Sequence, residues 1–164
     1  MSLQNIQLSS IAISNLYNYY LVDINNDKNK TEPAQGENLF LGNNKKNILF
    51  IVTNIEVDFL TDNQLDFISG ILSACKLNLA DIAIINLNKI AKMELYKLLK
   101  ASKIIAFGIK ASAIGLPFSI ADFQVQLFNN QTYLFAPELN LIQKETNLKR
   151  KLWVSLKEVF SIKN

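Results

Sequence analysis

Three short apolar stretches constrain the fold of this chain more than any other feature. They are Ile48-Leu49-Phe50-Ile51-Val52, Ile82-Ala83-Ile84-Ile85 and Ile104-Ile105-Ala106-Phe107. Each has the length of a strand, and none alternates with polar residues. That is the pattern of strands covered on both faces, as in a parallel sheet. Strands are therefore expected over residues 47–53, 81–86 and 103–107. Helical periodicity fills the intervals. Thr61 and Gln64 have the spacing of a capping box, and Leu65, Ile68, Leu72 and Cys75 follow on one face, predicting a helix over 62–76. Leu87, Ile90, Ala91, Leu95, Leu98 and Leu99 predict another over 87–100.

After Gly108 the small residues Ala111, Ser112, Ala113 and Gly115 suit a short helix packed close to the sheet. The pattern then changes to alternation. Phe123, Val125 and Leu127 are spaced by Gln124 and Gln126, Asn129-Asn130 supplies a turn tolerant of positive φ, and residues 132–135 return as a paired strand. Leu148, Leu152, Leu156 and Val159, with Trp153 and Phe160 beside them, form the apolar face of a last helix over 145–161. Strand and helix in this order predict an α/β fold, a three-layer α/β/α sandwich with a mostly parallel central sheet and right-handed crossovers.

The first 46 residues have a different composition. Leu8, Ile11, Ile13, Leu16, Tyr17, Tyr19, Tyr20, Leu21 and Val22 make an apolar and aromatic cluster within residues 1–22, too sticky for a plain linker. Residues 23–46 are rich in Asn, Lys, Asp, Glu, Gly and Pro, the composition of a flexible polar linker. The organisation expected is an N-terminal interaction segment, a tether, and one domain over 47–164. Such a segment suits docking on another protein, with ordering entropy lost at binding; folding back on its own domain is the equal alternative.

Several classes of chemistry are excluded outright. The 164 residues contain no histidine, which removes Ser-His-Asp triads, Cys-His dyads and histidine metal sites within the chain. Cys75 is the sole cysteine, so no intrachain disulfide or cysteine-based zinc cage can form, and its place in a helical apolar pattern reads as a small buried hydrophobe. No cofactor or metal is expected. A net charge of +3 is too small for a sequence-independent grip on DNA. No apolar run reaches the roughly 18 residues of a membrane span, and the N-terminus lacks the layout of a signal peptide, so a cytoplasmic location is expected.

In α/β folds ligands sit beyond the carboxyl ends of the strands. Residues 53–59, 86–89, 108–112 and 136–139 are thus the places to search. Asn54, Glu56 or Asp58 could orient a water or act as a base, although polar caps on a loop are the commoner use. Asn86 and Asn88 read as helix caps before base-edge contacts. Gly108-Ile109-Lys110-Ala111 lacks the repeated glycines of a phosphate loop. Lys149, Arg150 and Lys151 form a possible nucleic-acid contact, against the ordinary reading of a solvated helix face, and Trp153 beside them reads as core.

Two resemblances bear on these residues. Lys103-Ile104-Ile105-Ala106-Phe107-Gly108 with Ala111, then Phe135-Ala136-Pro137, then residues 149–156 with Trp153, are similar to the C-terminal half of the uracil-DNA glycosylase superfamily. That family has a Gly- and Pro-containing catalytic loop after its first strand and a His-Pro-Ser-like motif after its last. Here residues 53–58 hold neither Gly nor Pro, and the later motif reads Ala136-Pro137-Glu138. Base excision needs a flipped base and stabilised charge, so loss of both motifs argues against catalysis. A divergent hydrolase would have to use Asn54, Asp58 or Glu138.

Over most of its length the chain also resembles the psi-subunit family of the bacterial DNA polymerase III holoenzyme, small noncatalytic proteins with a glycosylase-related fold. The matching features are Ile11-Ala12-Ile13-Ser14-Asn15-Leu16 before a polar linker, the strand at 48–52, Leu60-Thr61-Asp62, Ala136-Pro137-Glu138-Leu139 and Lys151-Leu152-Trp153. The resemblance implies an accessory role in DNA replication, bridging clamp-loader subunits and a chi-like protein. It implies that Ile11, Ile13, Leu16, Tyr17 and Tyr20 dock on the clamp-loader collar.

Overall fold

The computed structural model describes residues 39–163, which fall in one compact unit. Its elements are β1 (Leu41–Gly42), β2 (Ile48–Val52), α1 (Asp62–Ala74), β3 (Ile82–Asn86), α2 (Lys92–Leu98), β4 (Lys103–Phe107), β5 (Val125–Phe128), β6 (Gln131–Ala136), α3 (Leu139–Lys144) and α4 (Thr146–Val159). Short 3-10 turns lie at Leu79–Asp81 and Ala111–Ile114. The strands form one six-stranded sheet in the order β1-β3-β2-β4-β6-β5. Its central pairings, β3 with β2, β2 with β4 and β4 with β6, are parallel. Both edge pairings are antiparallel, so the sheet is mixed where a mostly parallel one was expected.

The unbroken apolar runs are explained by burial on two faces. All five residues of β2 and of β3 are buried. Because successive side chains point to opposite faces, Ile48, Phe50, Val52, Ile84, Ile105 and Phe107 join one cluster with Ile68 and Leu72 of α1 and Leu152 and Leu156 of α4. Leu49, Ile51, Ile85, Ile104 and Phe135 join a second with Leu95, Ala111 and Ile114. Phe50 and Phe107 pack with ring centroids 5.9 Å apart. Truncating a side chain such as Phe50, fully buried here, costs about 3–5 kcal/mol in cores of this kind.

Local chemistry fixes the element ends. The capping box of α1 is complete: Thr61 Oγ1 accepts from the Gln64 backbone N–H, and Gln64 Oε1 accepts from that of Thr61. Asn129 and Asn130 adopt φ of 50° and 61°, the double left-handed turn that matches strand twist in a two-residue hairpin. Cys75 is buried, and burial pushes its thiol pKa up to about 11.

Other expectations need correction. The stretch read as linker, 23–46, lies outside the described residues up to position 38, but its last part belongs to the fold. Leu41 and Gly42 pair with Ile84 and Ala83, and the N–H groups of Asn44, Lys45 and Lys46 donate to the carbonyls of Ile82, Ala80 and Asp81. The helix expected over 87–100 forms only at Lys92–Leu98, because residues 87–90 are drawn into turns held by Asn86. Helix α3 was not anticipated.

Helix α4 is pinned through an unusual residue. Phe123 has φ of 66°, uncommon for a bulky side chain. Its N–H donates to the Phe135 carbonyl at 2.7 Å, and its own carbonyl accepts from the buried Ser155 hydroxyl at 2.6 Å. On the outer edge of the sheet, the Gln126 side-chain amide donates to the Leu127 carbonyl at 3.0 Å. No helix among the described residues is long and apolar enough to cross a membrane.

Candidate functional site

The parallel strands β3, β2, β4 and β6 end side by side, and a chain of side-chain amides crosses those ends. Asn86, the last residue of β3, is 1% exposed. Its Oδ1 accepts from the backbone N–H of Asn54 at 3.0 Å and of Asn88 at 3.1 Å. Its Nδ2 donates to the carbonyls of Asn54 at 2.7 Å and Val57 at 3.1 Å. An Asn side chain offers two donors and a two-fold acceptor, so all of this one is used. Asn86 therefore clamps the loop after β2. It does not cap α2, whose N-cap position, Ala91, makes no side-chain bond.

Asn54 continues the chain. Its Oδ1 accepts from the N–H groups of Glu56 and Val57, folding the loop tip, and its Nδ2 donates to Gln64 Oε1 at 3.4 Å. The buried Gln64 in turn donates through Nε2 to Asn140 Oδ1 of α3 at 3.0 Å. Gln143 Nε2 adds a bond to the Asn63 carbonyl at 2.9 Å. Loop, α1, β3 and α3 are thereby joined at one end of the sheet.

Beside this chain lies a cleft of about 30 Å³ lined by Val52, Thr53, Gln64, Phe107, Glu138, Leu139 and Asn140. Its size follows from a close approach. Gly108 leaves β4 with φ of 70°, and a Cβ there would stand 2.6 Å from Glu138 Cγ. Glu138 thus lies directly over the strand end. The space suffices for about one water molecule, whereas ligand sites span roughly 300–1,000 Å³.

The structure separates the sequence-derived candidates. Glu138 lines the cleft with Thr53, but Asn54 and Asp58 do not. Asn54 is consumed by loop bonds, and Asp58 and Glu138 are exposed. Lys149, Arg150 and Lys151 are exposed on α4, and Trp153 is half-buried against the core. Ile11, Ile13, Leu16, Tyr17 and Tyr20 lie outside the described residues. Sequence reasoning missed Asn140 altogether and saw Gln64 only as a cap. Among the described residues no three Asp, Glu, Cys or His side chains gather to hold a metal ion.

The amides can hold and orient but cannot exchange protons near neutral pH. The shifted titrating groups lie elsewhere. Burial would raise the Asp81 carboxyl, but the Asn78 N–H bond, the Lys46 bond and charge, and the Lys45 charge outweigh it and hold the pKa below its ordinary value. Burial pushes the Tyr133 phenol up; its hydroxyl donates to Gln131 Oε1 at 2.8 Å. Neither group lines the cleft. No protein-family model matches this chain, and no curated protein matches it in sequence.

Proposed function

We propose that this protein is a noncatalytic accessory factor of cytoplasmic DNA replication, a psi-like subunit that bridges the clamp loader to a second, chi-like protein. The observation that carries the noncatalytic half is the use of the strand ends. Where an α/β enzyme keeps reactive groups, Asn86, Asn54, Gln64 and Asn140 are bonded to one another and to backbone, beside a cleft of about 30 Å³. That cleft is small beside the roughly 300–1,000 Å³ of ligand sites, and base excision requires the base in a fitted pocket. The parallel run β3-β2-β4-β6, with an apolar cluster on each face, supports reading the fold as a three-layer, glycosylase-like sandwich.

The psi-like half rests on the resemblance, with Ile11, Ile13, Leu16, Tyr17 and Tyr20 as the collar-docking residues. A tether would raise the effective concentration of the second partner once the first is bound. The rival, a divergent glycosylase-superfamily hydrolase, has in its favour only that Thr53 and Glu138 meet at the cleft.

Affinity purification from the native cytoplasm tests the proposal, using the full chain beside a variant carrying Leu16→Asp and Tyr20→Asp. Clamp-loader subunits should come with the first bait and be lost from the second. Replication proteins absent from both, together with release of uracil from DNA that Glu138→Gln abolishes, would replace the accessory reading by the hydrolase.

A further inference from the structure

The charge of this protein is concentrated on one helix. Helix α4 carries Lys149, Arg150, Lys151 and Lys157 against Glu158, a net charge equal to the +3 of the entire chain. Lys149, Arg150 and Lys151 are exposed and make no ion pair or side-chain hydrogen bond among the described residues. One turn on, Val154 is 57% exposed, and Trp153 beside it is only half-buried. Since residues three and four apart are neighbours on a helix surface, Arg150 and Lys151 flank Val154, and Lys149 flanks Trp153. The outward face of α4 is thus an apolar centre with unneutralised cations along one side.

We propose that this face docks an acidic segment of a partner protein, with the partner's carboxylates on Lys149, Arg150 and Lys151 and an apolar side chain against Val154 and Trp153. Charge complementarity selects the occupant. Nucleic acid is the weaker match: the cations span about one turn of α4 and can neutralise few phosphates, whereas phosphate-backbone affinity grows with the number neutralised. A phosphate backbone also offers nothing to an exposed valine, whereas buried aromatic and Arg side chains under an acidic cover are what protein interfaces use. This binding does not rest on the role proposed for the N-terminal segment.

The test is an NMR titration of the full 164-residue chain with two probes: a 16-residue synthetic peptide of alternating Asp with Leu and Phe, and single-stranded oligothymidylate of about 20 nucleotides. The peptide should shift the amides of residues 147–158 and bind less tightly as salt rises. Arg150→Glu combined with Lys151→Glu should weaken it at least tenfold, and Val154→Ser severalfold. Arg150→Lys should retain most of the binding, with circular dichroism unchanged throughout. Three results would overturn the proposal: stronger binding of the oligonucleotide to the same residues, concentration-dependent shifts without any probe (a second copy as occupant), or no shift on α4.

Discussion

The two ends of the parallel strands are held by different chemistry. At the carboxyl end the connections are neutral amides: Asn86 to the loop after β2, Asn54 to Gln64, and Gln64 to Asn140. At the amino end a charge takes part. Asp81, just before β3, accepts from the Asn78 N–H at 3.0 Å and from Lys46 Nζ at 3.2 Å, while Gln131 donates to the carbonyls of Leu99 and Ala101. Polar groups inside a protein are costly unless satisfied. Here the amide chain at the carboxyl end is satisfied internally, leaving the exposed Glu138 as the carboxylate beside it, whereas at the amino end the buried Asn44 Oδ1 has no hydrogen-bond partner among the described residues.

The sharpest way to break this comparison is Asn86→Ala. It strips partners from the N–H groups of Asn54 and Asn88 and the carbonyls of Asn54 and Val57. Urea denaturation should show a loss of about 3 kcal/mol, with faster hydrogen exchange across residues 54–58; a loss under about 1 kcal/mol would mean that water replaces the clamp freely. At the amino end Gly42→Ala should come next, at about 2 kcal/mol. Gly42 sits at φ 101°, and an added Cβ would press on the Ile82 carbonyl and stand 2.6 Å from that of Leu79.

Asp81→Ala should cost less, about 1 kcal/mol, because Lys46 is half-exposed and its attraction is screened. This is the titratable end. The folded pKa of Asp81 lies below the ordinary 3.8, so its contribution is complete above that value and is lost as pH falls through the lower folded one. Stability measured from pH 6 to pH 2 should therefore drop less steeply in Asp81→Ala than in the parent, and equally in Asn86→Ala. The smallest effect concerns Cys75. With its thiol pKa pushed to about 11 inside the core, labelling by a thiol reagent at pH 8 should be negligible in folded protein and rapid in denaturant.

What was legible in the sequence is what local pattern encodes. Residues 48–52 and 103–107 read as buried strands because nothing polar interrupts them, the capping box stood in Thr61 and Gln64, and Asn129-Asn130 announced its own turn. Strand β1 was hidden because two residues pair only through what β3 offers them. Helix α3, six residues long, is too short for periodicity to show. The amide chain was illegible for a related reason: Asn54, Gln64, Asn86 and Asn140 are far apart in sequence, and each alone looks like a cap or a loop residue.

Among the described residues strand β5 forms an open margin of the sheet, with Leu127 66% exposed. In a two-residue hairpin the residue preceding the turn-flanking pair directs its peptide groups away from the partner strand. The carbonyl of Leu127 thus faces outward, and it is this carbonyl that the Gln126 side chain occupies. A strand pairing along this edge would have to displace that amide to reach the Leu127 carbonyl. Replacing Gln126 with valine would leave that carbonyl free to accept from a second strand.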